Sequence, residues 1–289
     1  NQLYSLSYND PITLSVSLRI ESFGKLELSK LNKEGDLIPG AVFKVTGPNN
    51  YSREVTVTNG KITLDKLKKG TYTIKEISAP YGYLLDNKSY NVEVKVNQTA
   101  TQAVVNIEPT GTFTLVKKNE DKSANLKGAE YRIWNDNYDN RFTTDDNGEI
   151  KVEGLKLGKY NYQETKAPEG YLLDDTVYSF ELKYKDQNTA VVFASAERTD
   201  KEPTGSISII KKDIKTGSVT QGDAVFEGAV YKVYAKEDIY NKAKTKKFYS
   251  KGDLVATRTM NEKGTTEDIT NLPLGKYLVK EEVAPKGYM

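Results

Sequence analysis

Three copies of one motif frame, always in the same order, decide what this chain can fold into. GTYTIKEISAPYGYLLD (70–86) returns as GKYNYQETKAPEGYLLD (158–174) and again as GKYLVKEEVAPKGYM (275–289), sharing G-x-Y-x-x-x-E-x-x-A-P-x-G-Y. Upstream of each copy runs GKLELSK (24–30), GTFTLVK (111–117) or GSISIIK (205–211). PGAVFKV (39–45), KGAEYRI (127–133) or EGAVYKV (227–233) then follows. A period of this kind means one supersecondary unit used repeatedly. Gly24 to Gly111 is 87 residues and Gly111 to Gly205 is 94, the length of a small domain. The third copy is stretched: Tyr231 to Gly275 spans 44 positions, against 27 from Phe43 to Gly70 and from Tyr131 to Gly158. That places an insertion rich in Lys, Tyr and Asp near 235–258. The joints IEPTG (107–111) and KEPTG (201–205) read as short, stiff linkers. The expected organisation is repeat 1 over 24–110, repeat 2 over 111–204 and repeat 3 over 205–289.

Both ends read as cut from a longer array. Repeat 3 is expected to lack its last strands, and residues 1–23 to be trailing strands of a preceding domain or an N-terminal tail. Completion of another chain's repeat 3 by that tail is a further possibility. No signal peptide opens the sequence.

Each repeat reads as all-β. KLELS, REVTVT, KITL, TYTIKE and YNVEVKV alternate polar and apolar residues, the period of a strand with one buried face. Asn59-Gly60 and Asn147-Gly148 lie between such runs and predict tight hairpin turns. About seven short strands per repeat predict immunoglobulin-like or prealbumin-like β-sandwiches in an elongated tandem array.

Composition narrows the chemistry. With no Cys, disulfides and thiolate nucleophiles are excluded. With no His, the commonest general base and transition-metal ligand is missing. A net charge of +2 gives no footprint for nucleic acid, and no apolar run is long enough to span a membrane. No cofactor and no metal are expected. Asp145-Asp146-Asn147-Gly148 lacks EF-hand spacing and reads as a turn. LPLGK (272–276) falls inside a repeat and also reads as a turn. The tyrosines are expected to pack under strands and loops.

Strand parity puts charges where apolar groups belong. Side chains alternate faces with period two. Leu26, Leu28 and Lys30 therefore share a face, as do Phe113, Leu115 and Lys117, and Ile207, Ile209 and Lys211. In the G-x-Y strand the rows are Tyr72, Ile74 and Glu76; Tyr160, Tyr162 and Glu164; and Tyr277, Val279 and Glu281. An inward lysine and an inward glutamate are costly unless paired. One reading is a buried ion pair that fixes register. The other is covalent: a desolvated lysine becomes a neutral nucleophile, and a desolvated glutamate relays a proton. An Asn carboxamide beside them would become an amide, with release of ammonia.

These residues resemble the Cna B-type domain of Gram-positive surface adhesins and pilins, and the glutamate frame is similar to the E-box of pilins. The resemblance implies a prealbumin-like sandwich closed by a self-formed isopeptide bond. It implies Lys30, Lys117 and Lys211 as reactive lysines and Glu76, Glu164 and Glu281 as catalytic acids. The acceptor in such domains is an Asn or Asp on the last strand. Asn106 in AVVN fits in repeat 1. In repeat 2, alignment of AVVF (190–193) with AVVN (103–106) puts Phe193 in that place, whereas Asp200 keeps the five-residue offset from the next repeat's glycine. The resemblance further implies a secreted, cell-surface stalk, anchored to the wall through a segment outside this chain, with neighbouring domains as partners. No activity on an external substrate is expected. The alternative function is a module that binds a host matrix protein or glycan through the repeats or the insertion.

Overall fold

The computed structural model describes residues 22–217 and 220–288. The leading segment read above as trailing strands lies outside the described residues over positions 1–21. Among the described residues every regular element is a strand, and the chain divides into two compact units.

The first unit holds the described residues up to Pro109 together with Tyr184–Ala190. Its strands are β1 (Gly24–Leu31), β2 (Ala41–Gly47), β3 (Tyr51–Val57), β4 (Lys61–Leu67), β5 (Gly70–Ser78), β6 (Ser89–Val94) and β7 (Thr99–Val105). They form two sheets, β4-β1-β7 and β3-β2-β5-β6. The alternating sequence of β1 turns Leu26 and Leu28 inward against Phe43, Val45, Tyr72 and Ile74 of the opposite sheet. The first strand is antiparallel to β4 and parallel to β7, so the first and last strands are direct neighbours.

The second unit repeats this plan with β8 (Thr110–Asn119), β9 (Glu130–Asn135), β10 (Tyr138–Thr143), β11 (Glu149–Leu155), β12 (Gly158–Lys166), β13 (Tyr178–Leu182) and β14 (Val191–Asp200). The sheets are β11-β8-β14 and β10-β9-β12-β13. Its core is aromatic: Phe113 and Phe180 stack at 3.8 Å between ring centroids, and Tyr160 stacks on Phe180 at 5.2 Å. The same unit contains β15 (Thr204–Ile207), β16 (Val230–Ala235), β17 (Ile239–Tyr240), β18 (Lys247–Tyr249), β19 (Leu254–Thr259), β20 (Ile269–Pro273) and β21 (Tyr277–Val283). These pair as β15-β20, β19-β16-β21 and a small hairpin β17-β18. LPLGK joins β20 to β21.

Two sequence expectations need correction. Asn59-Gly60 and Asn147-Gly148 do not close hairpins. They join β3 to β4 and β10 to β11, which lie in different sheets. The positive φ of Gly60 (75°) and Gly148 (68°) serves a sharp change of sheet. In the region of the insertion, β19 begins at Leu254 and pairs with β16 as β3 pairs with β2 and β10 with β9. The added chain is the β17–β18 hairpin and its flanks. Lys242 N–H of that hairpin donates to Glu202 Oε1 at 2.8 Å, and the Thr245 and Ser123 hydroxyls are 2.5 Å apart.

The recurring tyrosine of each G-x-Y frame anchors its own turn. Tyr72, Tyr160 and Tyr277 donate to the carbonyls of Lys68, Lys156 and Pro273 at 3.0, 2.9 and 2.6 Å. A buried ring thus satisfies its only polar atom locally.

Candidate functional site

Repeat 1 brings three polar side chains together inside its core. Lys30 and Asn106 are fully buried and Glu76 almost so. Lys30 ends the inward row of β1, and Glu76 ends that of β5. The parallel register pairs Lys30 with Val104, so Asn106, two residues further on, returns to the same face just past β7. Lys30 Nζ donates to Asn106 Oδ1 and lies 3.1 Å from Glu76 Oε1. Asn106 Nδ2 donates to both Glu76 oxygens at 3.1 Å, so the carboxyl group spans the amine and the amide nitrogen. The Phe43 ring, 5.7 Å from Nζ, closes the site on the other side. Burial pulls the Lys30 amine below its ordinary value, with the nearby Glu76 charge opposing it.

Repeat 2 reproduces this geometry with a different acceptor. The register of β8 and β14 pairs Lys117 with Arg198, and Asp200 again stands two residues on. Lys117 Nζ donates to Asp200 Oδ1, lies 3.0 Å from Glu164 Oε1 and donates to Tyr131 Oη at 3.0 Å. All four side chains are buried. Phe193, by contrast, is 77% exposed near the start of β14. Burial pushes Glu164 up to about 7 and raises Asp200 as well, with Lys117 opposing both shifts. Glu164 Oε1 has the Lys117 amine 3.0 Å away, Asp200 Oδ2 has no hydrogen-bond partner, and the two carboxyl groups interact with one another. Such a buried carboxyl pair favours holding one proton over ionising twice.

Repeat 3 departs from the expectation of an inward, desolvated Glu281. Its Lys211 Nζ lies 2.6 Å from Glu281 Oε1 and 3.3 Å from Tyr231 Oη, but the glutamate side chain is 31% exposed. Among the described residues no strand occupies the place of β7 or β14 beside β15, and the pair keeps partial access to solvent, with 15% of the Lys211 side chain exposed. Burial still pulls on the Lys211 amine most strongly. The hydrogen bonds that Lys211 donates to Glu281 and Tyr231, with the charges of those groups, outweigh it and hold the amine above its ordinary value. Among the described residues no acceptor carboxamide or further carboxyl group joins the pair.

Sequence reasoning missed the loop that holds the acid. Asp86 N–H donates to Glu76 Oε2 at 2.7 Å, and Asp174 N–H to Glu164 Oε2 at 3.1 Å. Two residues earlier, Leu84 N–H binds Ile107 O and Leu172 N–H binds Lys201 O, each carbonyl belonging to the residue after the acceptor. The shared GYLLD stretch therefore fastens the acid and the acceptor strand to one loop, and its recurrence at 82–86 and 170–174 was the available signal. A second missed element is the glycine behind each lysine. Lys30, Lys117 and Lys211 N–H groups donate to Gly60, Gly148 and Gly264 carbonyls, each at 2.8 Å. Asp145 Oδ1 accepts from Asn147 N–H and Glu149 N–H, which makes its acidic stretch a turn.

Paired sheets with adjacent parallel first and last strands, repeated along one chain, define a tandem prealbumin-like module. A family model of the SpaA prealbumin-like fold domain matches residues 24–108, 111–197 and 205–289, and the chain belongs to that family. Among solved structures, the TIE protein of Bacillus anthracis is 31% identical over 91% of this chain, with a TM-score of 0.63. The match covers 46% of that protein, so this chain spans less than half its length. A streptococcal ancillary pilin is 23% identical over 63% of each chain (TM-score 0.30). BcpA, the major pilin subunit of Bacillus cereus, is 14% identical over 62% of this chain and 99% of its own (TM-score 0.28). None of the curated protein sequences compared with the chain matches it.

Proposed function

We propose that this chain is a stalk region of a Gram-positive surface adhesin or minor pilin, in which repeats 1 and 2 close themselves with isopeptide bonds. The observation that carries the reading is the same amine–acid–acceptor cluster, sealed from water at the same strand register in two repeats. In repeat 1 the neutral Lys30 amine attacks Cγ of Asn106. Glu76 accepts a proton from the attacking nitrogen and delivers it to Nδ2, which it already touches. The Cγ–Nδ2 bond breaks, ammonia leaves, and a Lys30–Asn106 amide remains. In repeat 2 Lys117 attacks the carboxyl carbon of Asp200; the proton held by the Glu164–Asp200 pair and one proton from the attacking nitrogen both go to the departing oxygen, the C–O bond breaks, water leaves and Glu164 remains as a carboxylate. Each bond forms once, without cofactor or external substrate.

Such a bond joins the first strand to the last. Force applied along the chain then loads a covalent bond, and the unfolded ensemble is restricted as by a disulfide. That gives a Cys-free extracellular module resistance to extension and proteolysis. Intact mass spectrometry tests the proposal. The expected chain is lighter than its sequence by one ammonia and one water, with Lys30–Asn106 and Lys117–Asp200 branched peptides after digestion. A chain of unreduced mass refutes it.

A further inference from the structure

Within the first unit, the segment Tyr184–Ala190 holds the loop that presents Asp86 to Glu76. Gln187 does this twice: its Oε1 accepts from Ala79 N–H and its backbone carbonyl from Leu85 N–H, both at 2.8 Å. Tyr184 adds an edge contact to Tyr81 at 4.9 Å between ring centroids, and its hydroxyl donates to Tyr83 O at 3.2 Å. Three consecutive N–H groups then have three distinct tasks. Leu84 fixes the acceptor strand at Ile107, Leu85 is held by Gln187, and Asp86 caps Glu76. Ala79, at the other end of the loop, follows β5 directly. The corresponding Ala167 and Leu173 have no counterpart of Gln187 among the described residues.

We infer that Gln187 is a positioning residue for crosslinking in repeat 1, acting through the 79–86 loop on Glu76 and Asn106. This rests on the isopeptide reading above. The bond in repeat 1 then forms at full rate only once residues 184–190, supplied by sequence far downstream, have docked. A reaction needing atoms within hydrogen-bond reach is slowed when its supporting loop is loose. The Gln187 side chain touches none of the reacting atoms, so its effect is on their placement.

The test uses the full chain, made by cell-free synthesis, quenched at intervals and read by intact mass and peptide mapping. Gln187→Leu removes the acceptor for Ala79 at similar size, while Gln187→Glu keeps an oxygen there. We expect ammonia loss from repeat 1 to slow about tenfold in Gln187→Leu, the effect of a modest misplacement of reacting groups. It should recover in Gln187→Glu. Water loss from repeat 2 in the same molecules serves as an internal clock and should be unchanged. Equal ammonia-loss rates in wild type and Gln187→Leu overturn the inference. So does a slowing that Gln187→Glu fails to rescue. If wild type loses no ammonia at all, the isopeptide reading itself falls, and the inference with it.

Discussion

Glu76→Gln keeps the size of the side chain and an acceptor for Asp86 N–H, but removes the group that in the proposed reaction carries a proton from Lys30 to Asn106 Nδ2. Without that transfer, ammonia cannot depart and repeat 1 stays open. The consequence for stability follows from the loop the bond would close. Lys30 and Asn106 are 76 positions apart. Treated as any other crosslink in the chain-entropy model, a bond closing such a loop stabilises by about 4.5 kcal/mol. For a domain of this size, each kcal/mol moves the midpoint by roughly 4–8 °C, so the repeat 1 transition should fall by roughly 18–36 °C. Scanning calorimetry of wild type and Glu76→Gln reads that shift, with the repeat 2 transition as reference, and intact mass reads the retained ammonia. Two results refute the reasoning separately. Retention of the crosslink in Glu76→Gln removes Glu76 from the chemistry. Loss of the crosslink with an unmoved transition removes the bond from the stability of the fold.

Three further outcomes are expected. Asp200→Asn changes the leaving group from water to ammonia but yields the same amide, so the matured variant should have the mass of matured wild type; a one-dalton-class difference would mean that Asp200 is not the acceptor. Asp200→Ala leaves repeat 2 uncrosslinked with Glu164 still buried, and burial raises that acid to about 7 from roughly 4.3 in an unfolded chain. A raised folded value contributes stability that is present below the unfolded value and lost as pH rises through the folded one, so urea unfolding should show stability lost as pH rises from about 4.5 toward 7, by less than about 3 kcal/mol because the Asp200 charge that also raises Glu164 is gone. Adding Glu164→Gln should flatten that slope, and a slope that persists assigns it to another group. Gly148→Ala puts a Cβ 2.8 Å from Lys117 O and Leu126 N at a φ of 68°, and should cost at least about 1–2 kcal/mol by denaturant unfolding.

The parts of this fold that local rules govern were legible. Period-two alternation alone turned Lys30, Lys117, Glu76 and Glu164 inward, since a strand gives its residues only two directions. The acceptor of repeat 2 was harder. Matching AVVF to AVVN compared residues at the start of one strand with residues at the end of another, because β14 runs seven residues beyond Phe193. Counting back from the next repeat's glycine reached Asp200, which the parallel register places beside Lys117. Pairing between distant strands, rather than sequence similarity, fixed the position. The glycine turns were misread because a hairpin and a change of sheet need the same positive φ. Gln187 was invisible for a related reason: its partner Ala79 is 108 positions away, and nothing in the composition of KDQNTA announces an acceptor.

Lys211 shows why such a reaction waits for a complete sandwich. It occupies the same place in its motif as Lys30 and faces the equivalent glutamate, yet its amine is held above its ordinary value while that of Lys30 is drawn below. The difference lies in the covering strand. Beside β1, β7 shields Lys30 from water and also leads directly to Asn106. Beside β15 no described strand does either. A partly solvated lysine paired with a partly solvated glutamate gains from staying charged, whereas full burial favours the neutral amine. In the proposed reaction one structural event, docking of the last strand, would deliver the electrophile and create the nucleophile together. A partly folded repeat would have neither, which would couple bond formation to correct strand order without any separate control.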